Sequence, residues 1–77
     1  MNEDEGIQAQ FEARSNTTNA ILKFMSDKGI KKADLARNLD VSRSTVTKWL
    51  NGERNLELMT LGRIAHGLGA KLKISFE

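Results

Sequence analysis

The stretch Lys32-Ala33-Asp34-Leu35-Ala36-Arg37-Asn38-Leu39-Asp40-Val41-Ser42-Arg43-Ser44-Thr45-Val46-Thr47-Lys48-Trp49-Leu50-Asn51-Gly52 decides the reading of this 77-residue chain. It divides into two short amphipathic segments about a tight turn. The first, residues 32–39, places Leu35, Ala36 and Leu39 at helical spacing and predicts a helix that buries them. Asp40 occupies the turn, where a left-handed backbone is usually required. Asp tolerates that region less well than glycine but better than most residues. Ser42 then caps a second helix whose inward face is Val46, Trp49 and Leu50. Asn51-Gly52 is a hairpin signal in other settings, but after a helical pattern Gly52 reads as the residue that stops the helix.

Opposite the inward face lie Ser44, Thr47, Lys48 and Asn51, with Arg43 and Ser42 at the N-terminal tip. Short hydroxyls let a helix approach a surface closely, and long cations reach base edges or phosphates. Those are the requirements for a helix laid into the major groove of DNA. Arg43 has the fork geometry for guanine O6 and N7, while Ser44 and Thr47 suit several bases or a thymine methyl. Lys32 adds its own charge to the positive start of the preceding helix, a setting for a phosphate. Arg54 and Asn55, just past the second helix, suit the DNA backbone. Double-stranded DNA is therefore the expected partner, and Trp49 is assigned to the core rather than to base stacking.

The rest of the composition narrows the alternatives. The chain has no cysteine and a single histidine, His66, so neither a disulfide framework nor a thiolate or multi-histidine metal site is available. No carboxylate, serine or second histidine stands at recognisable spacing to His66, so an enzyme is not expected, nor a cofactor. No apolar run approaches the roughly 20 residues that span a bilayer, and the N-terminus is acidic rather than basic and then apolar. A soluble cytoplasmic protein with no membrane partner is the expectation. Net charge is +2 but unevenly placed: residues 1–14 carry −3 and residues 15–77 carry +5. Five cations, Lys31, Lys32, Arg37, Arg43 and Lys48, fall in or at the start of the helix pair, as a polyanion partner would favour.

Outward from the pair, Asn16-Thr17-Thr18 supplies capping side chains for a first helix that runs to Lys28 and stops at Gly29. Ile21, Leu22, Phe24 and Met25 form its buried stripe. Residues 1–15 are polar and read as a disordered acidic tail, so the folded domain is 16–77. After a loop at 53–57, a fourth helix over roughly Leu58–Leu68 buries Leu58, Leu61, Ile64, Ala65 and Leu68, with Gly62 and Gly67 each costing it about 1 kcal/mol against alanine. Met59, Gly62 and His66 line the edge of that stripe, where they suggest a contact with a second copy. Lys71-Leu72-Lys73-Ile74-Ser75-Phe76 alternates strictly and predicts a short strand over 71–76, which must lie on the core or pair with another molecule.

From Ile30 to Gly69 the sequence resembles the Cro/phage-repressor type of helix-turn-helix domain, the XRE family. The residues that carry the likeness are Leu35-Ala36, Leu39, Val41-Ser42, Val46, Trp49, Gly52, Leu61, Ile64-Ala65 and Leu68-Gly69. The resemblance implies an all-α bundle of four to five helices with a central helix-turn-helix, here followed by the C-terminal strand. It also implies a transcriptional regulator, a repressor, whose third helix reads DNA, usually as a homodimer on paired half-sites. By position, Lys32, Arg43, Ser44, Thr47 and Lys48 fall where family members contact DNA, and Asn51 where they often hold a phosphate. Asn55-Leu56-Glu57-Leu58, Thr60-Leu61 and Leu68-Gly69-Ala70-Lys71-Leu72 are further similar to the DNA-binding module of HigA-type antitoxins. That likeness implies a toxin as an alternative partner. Asp40 departs from the family's usual turn glycine, and Glu57 from its usual capping Ser or Thr, which together put rigidity in question more than function.

Overall fold

Leu35, Val46 and Ile64, from three different short helices, are almost completely shielded from solvent and form the centre of the molecule. A computed structural model describes residues 3–52 and 54–77. Four helices follow one another: α1 (Glu3–Lys28), α2 (Lys32–Leu39), α3 (Arg43–Leu50) and α4 (Leu58–Gly67). α2 packs on both α3 and α4, and α1 closes the core against α3. Met25, Ala36, Leu50 and Leu68 complete the buried cluster, with Ile21, Phe24, Ile30, Leu39, Val41, Trp49, Leu56 and Ala70 around it.

α1 is the largest departure from the sequence reading. Where that reading puts a disordered tail to residue 15 and capping side chains at 16–18, the helix is continuous from Glu3, 26 residues in all. The physical reason lies in the same residues. Asp4 and Glu5 complement the positive start of a helix, and Gln8, Ala9, Gln10, Glu12, Ala13 and Arg14 are good helix formers. Thr17 and Thr18 do not cap. Their hydroxyls donate backwards to the Ala13 and Arg14 carbonyls at 2.7 and 3.2 Å, satisfying themselves inside the helix. Thr18 is buried, so the inward stripe runs through polar positions that hydrophobic periodicity does not register. Leu22, assigned to that stripe, is instead 38% exposed. It lies about 100° around the helix from Ile21, at the margin of the buried row.

Local chemistry accounts for the turns as the sequence suggests. Gly29 ends α1 with φ +68°, and Ile30 N–H closes on the Met25 carbonyl at 2.9 Å. Asp40 takes the left-handed conformation at φ 55°, ψ 47°. Its N–H donates to the Arg37 carbonyl at 3.2 Å and Val41 N–H to the Ala36 carbonyl at 3.0 Å, so the turn is fully closed without glycine. α2 starts on Lys31, whose N–H donates to the Asp34 carboxylate at 2.9 Å; Arg37 binds the other oxygen at 2.8 Å. Those two donors, the backbone N–H first, hold the Asp34 carboxyl below its ordinary value of 3.8. A carboxylate favoured in the folded state stabilises it above the unfolded pKa, and that contribution disappears as pH falls through the lowered folded value. Thermal unfolding should therefore show Asp34→Asn less stable than the parent near neutrality, with the difference vanishing as the pH drops below about 4.

The C-terminal side departs from the sequence expectation at two places. Leu58, placed in the buried stripe of α4, is 61% exposed. α2 meets α4 at its Gly67 end, which leaves the first turn uncovered. Glu57 is the α4 N-cap and makes no side-chain cap bond, in keeping with its mismatch there. Residues 71–76 form no strand. After Ala70, whose N–H closes the α4 terminus on the Ala65 carbonyl at 2.9 Å, the backbone makes no ladder bond among the described residues. The alternation is present, but a strand exists only with a second strand beside it, and the described residues offer none.

Candidate nucleic-acid interface

The presentation of α3 begins with its cap. The Ser42 hydroxyl accepts from Thr45 N–H at 3.0 Å and shares a hydrogen bond with the Thr45 hydroxyl at 2.8 Å. Ser42 is thus committed to starting the helix, and the placing of Arg43 and Ser44 depends on it. From there, the 3.6-residue period does the sorting. Val46 and Leu50 point inward and are buried, and Trp49 packs half-buried against the same cluster. Trp49 is core, as the sequence reading has it.

Arg43, Ser44, Thr47, Lys48 and Asn51 are all exposed, and at about 100° per residue they cover an arc of roughly 140° on the opposite side. Arg43, Ser44, Thr47 and Lys48 make no side-chain hydrogen bond or ion pair among the described residues, so their donors face solvent. The helix has eight residues, about 12 Å of axis, comparable with the width of a B-DNA major groove. Lys32 is exposed at the first position of α2, where the helix start adds its partial positive charge. Arg54 and Asn55 are exposed on the loop that follows α3.

Lys31 is exposed beside Lys32 at the α2 N-terminus, a place on this face that its charge alone does not assign it from sequence. Gly67, which by propensity alone only weakens α4, has a packing role. A Cβ built there would come within 2.7 Å of Leu35 Cδ1 and Leu39 Cγ, and 2.9 Å of Leu39 Cδ2. Asn38 Nδ2 also donates to the Gly67 carbonyl at 2.9 Å. The glycine therefore lets α4 sit directly on α2, the helix that carries Lys32. The available signal was its position opposite an i, i+4 leucine pair, which only the packed structure reveals.

Among the described residues no cluster of His, Asp or Glu is arranged to hold a metal ion, and no helix is long and apolar enough to cross a membrane. Neither the curated proteins nor the solved structures yield a match. A family model described as helix-turn-helix matches residues 20–74, which takes in α2, α3, α4 and only the last nine residues of α1. That family comprises DNA-binding regulators of the Cro/repressor (XRE) type rather than enzymes. With α2 and α3 meeting across the left-handed Asp40 turn, the chain belongs to the helix-turn-helix family and is a DNA-binding regulator of the XRE type.

Proposed function

We infer that this regulator is a repressor that acts by occlusion, with α3 seated in the major groove of an operator half-site. The observation that carries this reading is the arc of Arg43, Ser44, Thr47 and Lys48, exposed and uncommitted on a helix whose reverse face is locked by Val46 and Leu50. Arg43 reads a guanine, Ser44 and Thr47 contact neighbouring bases, and Lys48 reaches a base edge or phosphate. Lys32, Asn51, Arg54 and Asn55 fix the register on the backbone. Ser42 contributes through its cap. Residues 16–77 are the unit that binds, and they work as a homodimer on paired half-sites, each copy reading one half. Selecting bound sequences from random duplex DNA tests the reading. A recurrent motif, lost when Arg43, Thr47 and Lys48 are replaced together by alanine, is the expected result, and binding without sequence preference would sink it.

The phosphate role of Lys32 has its own signature. Lys32→Ala should weaken selected and random duplexes alike and lower the slope of log affinity against log salt by about one ion. A loss confined to the selected sequence would instead make Lys32 a base reader.

The antitoxin reading is favoured by one feature, the exposed Ile7 and Phe11 on the N-terminal half of α1. They stand four residues apart on one side of a helix, with the Arg14 guanidinium 5.0 Å over the Phe11 ring, an exposed apolar surface suited to a protein partner. A small reading frame beside the gene whose product is toxic alone, and harmless when this chain is co-expressed, would establish it.

A further inference from the structure

The buried face of α1 does not stop where the core does. Ile7 stands five whole turns of helix before Met25, so the two point in the same direction. Yet Met25 is 4% exposed and Ile7 44%. Phe11, two turns before the buried Thr18, lies within about 20° of its direction and is 53% exposed. From Asp4 through Ile7, Phe11 and Arg14 to Thr18 the spacing alternates three and four, the seam of a coiled coil. The part of that seam before Arg14 overhangs the bundle. With the loop at Asn55 and Leu56 it encloses an open cleft, which Phe11 and Arg14 line. A helical overhang of about ten residues is marginal in water by itself.

The overhang is complementary to its own copy. Laid antiparallel about a two-fold axis level with Ala9, Ile7 packs on Phe11 of the second copy and Asp4 meets its Arg14. Symmetry makes each contact twice. A guanidinium has five donors, so Arg14 takes the carboxylate while staying over the Phe11 ring. Gln8 and Gln10 flank the row without charge, and Glu5 and Glu12 turn to the outer side. The overlap runs from residue 4 to residue 14, about 15 Å, and ends where each copy's own core begins. Other arrangements lose this fit. Parallel helices oppose Asp4 to Asp4 and Arg14 to Arg14. An antiparallel pair centred on Phe11 sets Ile7 against Ser15 and Asp4 against Thr18, which is already buried. One centred on Ile7 leaves Phe11 with no apolar partner.

We propose that the N-terminal half of α1 is a self-association surface, pairing antiparallel with the same segment of a second copy through Asp4, Ile7, Phe11 and Arg14. This rests on the reading of the protein as a homodimer and names a surface through which two copies meet. Four side chains a side make a short contact, of the weak and reversible class. It gives to a second copy the residues that the antitoxin reading gives to a toxin.

The test uses the full chain, since none of the four residues belongs to the hydrophobic core. Sedimentation at concentrations on the order of 100 micromolar should show a reversible dimer. Ile7→Asp should weaken it on the order of a hundredfold while leaving the unfolding midpoint of dilute protein unchanged. Asp4→Arg and Arg14→Asp should each weaken self-association about tenfold, yet bind one another when mixed, since each then meets its opposite charge. The chain has no native cysteine. Asp4→Cys and Arg14→Cys should therefore cross-link when mixed and not singly, because each stands about 15 Å along the axis from its own copy. Cross-linking of Asp4→Cys with itself would mean parallel helices and overturn the proposal. A dimer indifferent to Ile7→Asp and to both charge changes overturns the α1 surface and leaves the homodimer standing. A chain that stays monomeric in solution overturns the surface too, leaving that face to a different protein, and if it also binds a selected operator singly the homodimer falls with it.

Discussion

Arg43→Ala should cost about 1–3 kcal/mol of operator affinity and erase the preference at one base pair while leaving the others intact. The reasoning starts from the cap. Ser42 fixes the first turn of α3, so the Arg43 side chain projects forward from the helix end with no partner of its own among the described residues. A guanidinium in that position offers two parallel donors to the two acceptors of a guanine edge, and an alanine offers none. The measurement is competition binding against a set of duplexes that differ at each position of the selected site. Wild type should discriminate at every position and Arg43→Ala at all but one. Arg43→Lys provides the control for charge alone: it should restore the salt dependence but not the discrimination, because a single ammonium lacks the fork. If Arg43→Ala binds the selected operator as well as wild type does, α3 is docked differently from the way proposed here. A uniform loss across all duplexes would make Arg43 a phosphate contact.

What was readable in the sequence was readable for local reasons. The bounds of α2, the Ser42 cap, the left-handed Asp40 and the stop at Gly29 each depend on a few adjacent residues, and each is found where the sequence puts it. The exposure of the α3 arc follows from the same period that buries Val46 and Leu50. The misses share a different cause. Whether residues 3–15 join α1 depended on propensity and end charge in a segment with few apolar residues, where periodicity has little to report. Leu22 and Leu58 look like core by type, but their burial depends on where α3 and α2 end. The strand at 71–76 has the right pattern and lacks a neighbour, and no sequence pattern supplies one within a single chain. Residue roles at the DNA face stand apart from all of these: geometry shows which side chains are exposed, and chemistry proposes what they touch.

The two glycines of α4 should respond to alanine with opposite signs, although the sequence gives no reason to separate them. Both sit in a helical pattern, and by propensity alone each substitution should stabilise by about 1 kcal/mol. Gly62 faces open space, with no atom within 4 Å of a built Cβ, so Gly62→Ala should gain close to that amount. Gly67 has Leu35 and Leu39 of α2 where the methyl would go, at 2.7 to 2.9 Å. Leu35 is fully buried and has nowhere to rotate, and the Leu39 Cγ is a branch point rather than a flexible tip. To accept the methyl, α4 must withdraw from α2, loosening the core at Ile64 and lengthening the Asn38–Gly67 hydrogen bond. Overpacking of this kind costs about 1–3 kcal/mol, which outweighs the propensity gain, most of all at the last residue of a helix. A domain of this size has only a few kcal/mol to lose. Denaturant unfolding of the two variants should therefore move the midpoint in opposite directions. Gly67→Ala should also weaken DNA binding without altering base preference, because it shifts the helix that carries Lys32 rather than the face of α3. Equal stabilisation by both substitutions would mean that α2 and α4 do not approach each other through Gly67.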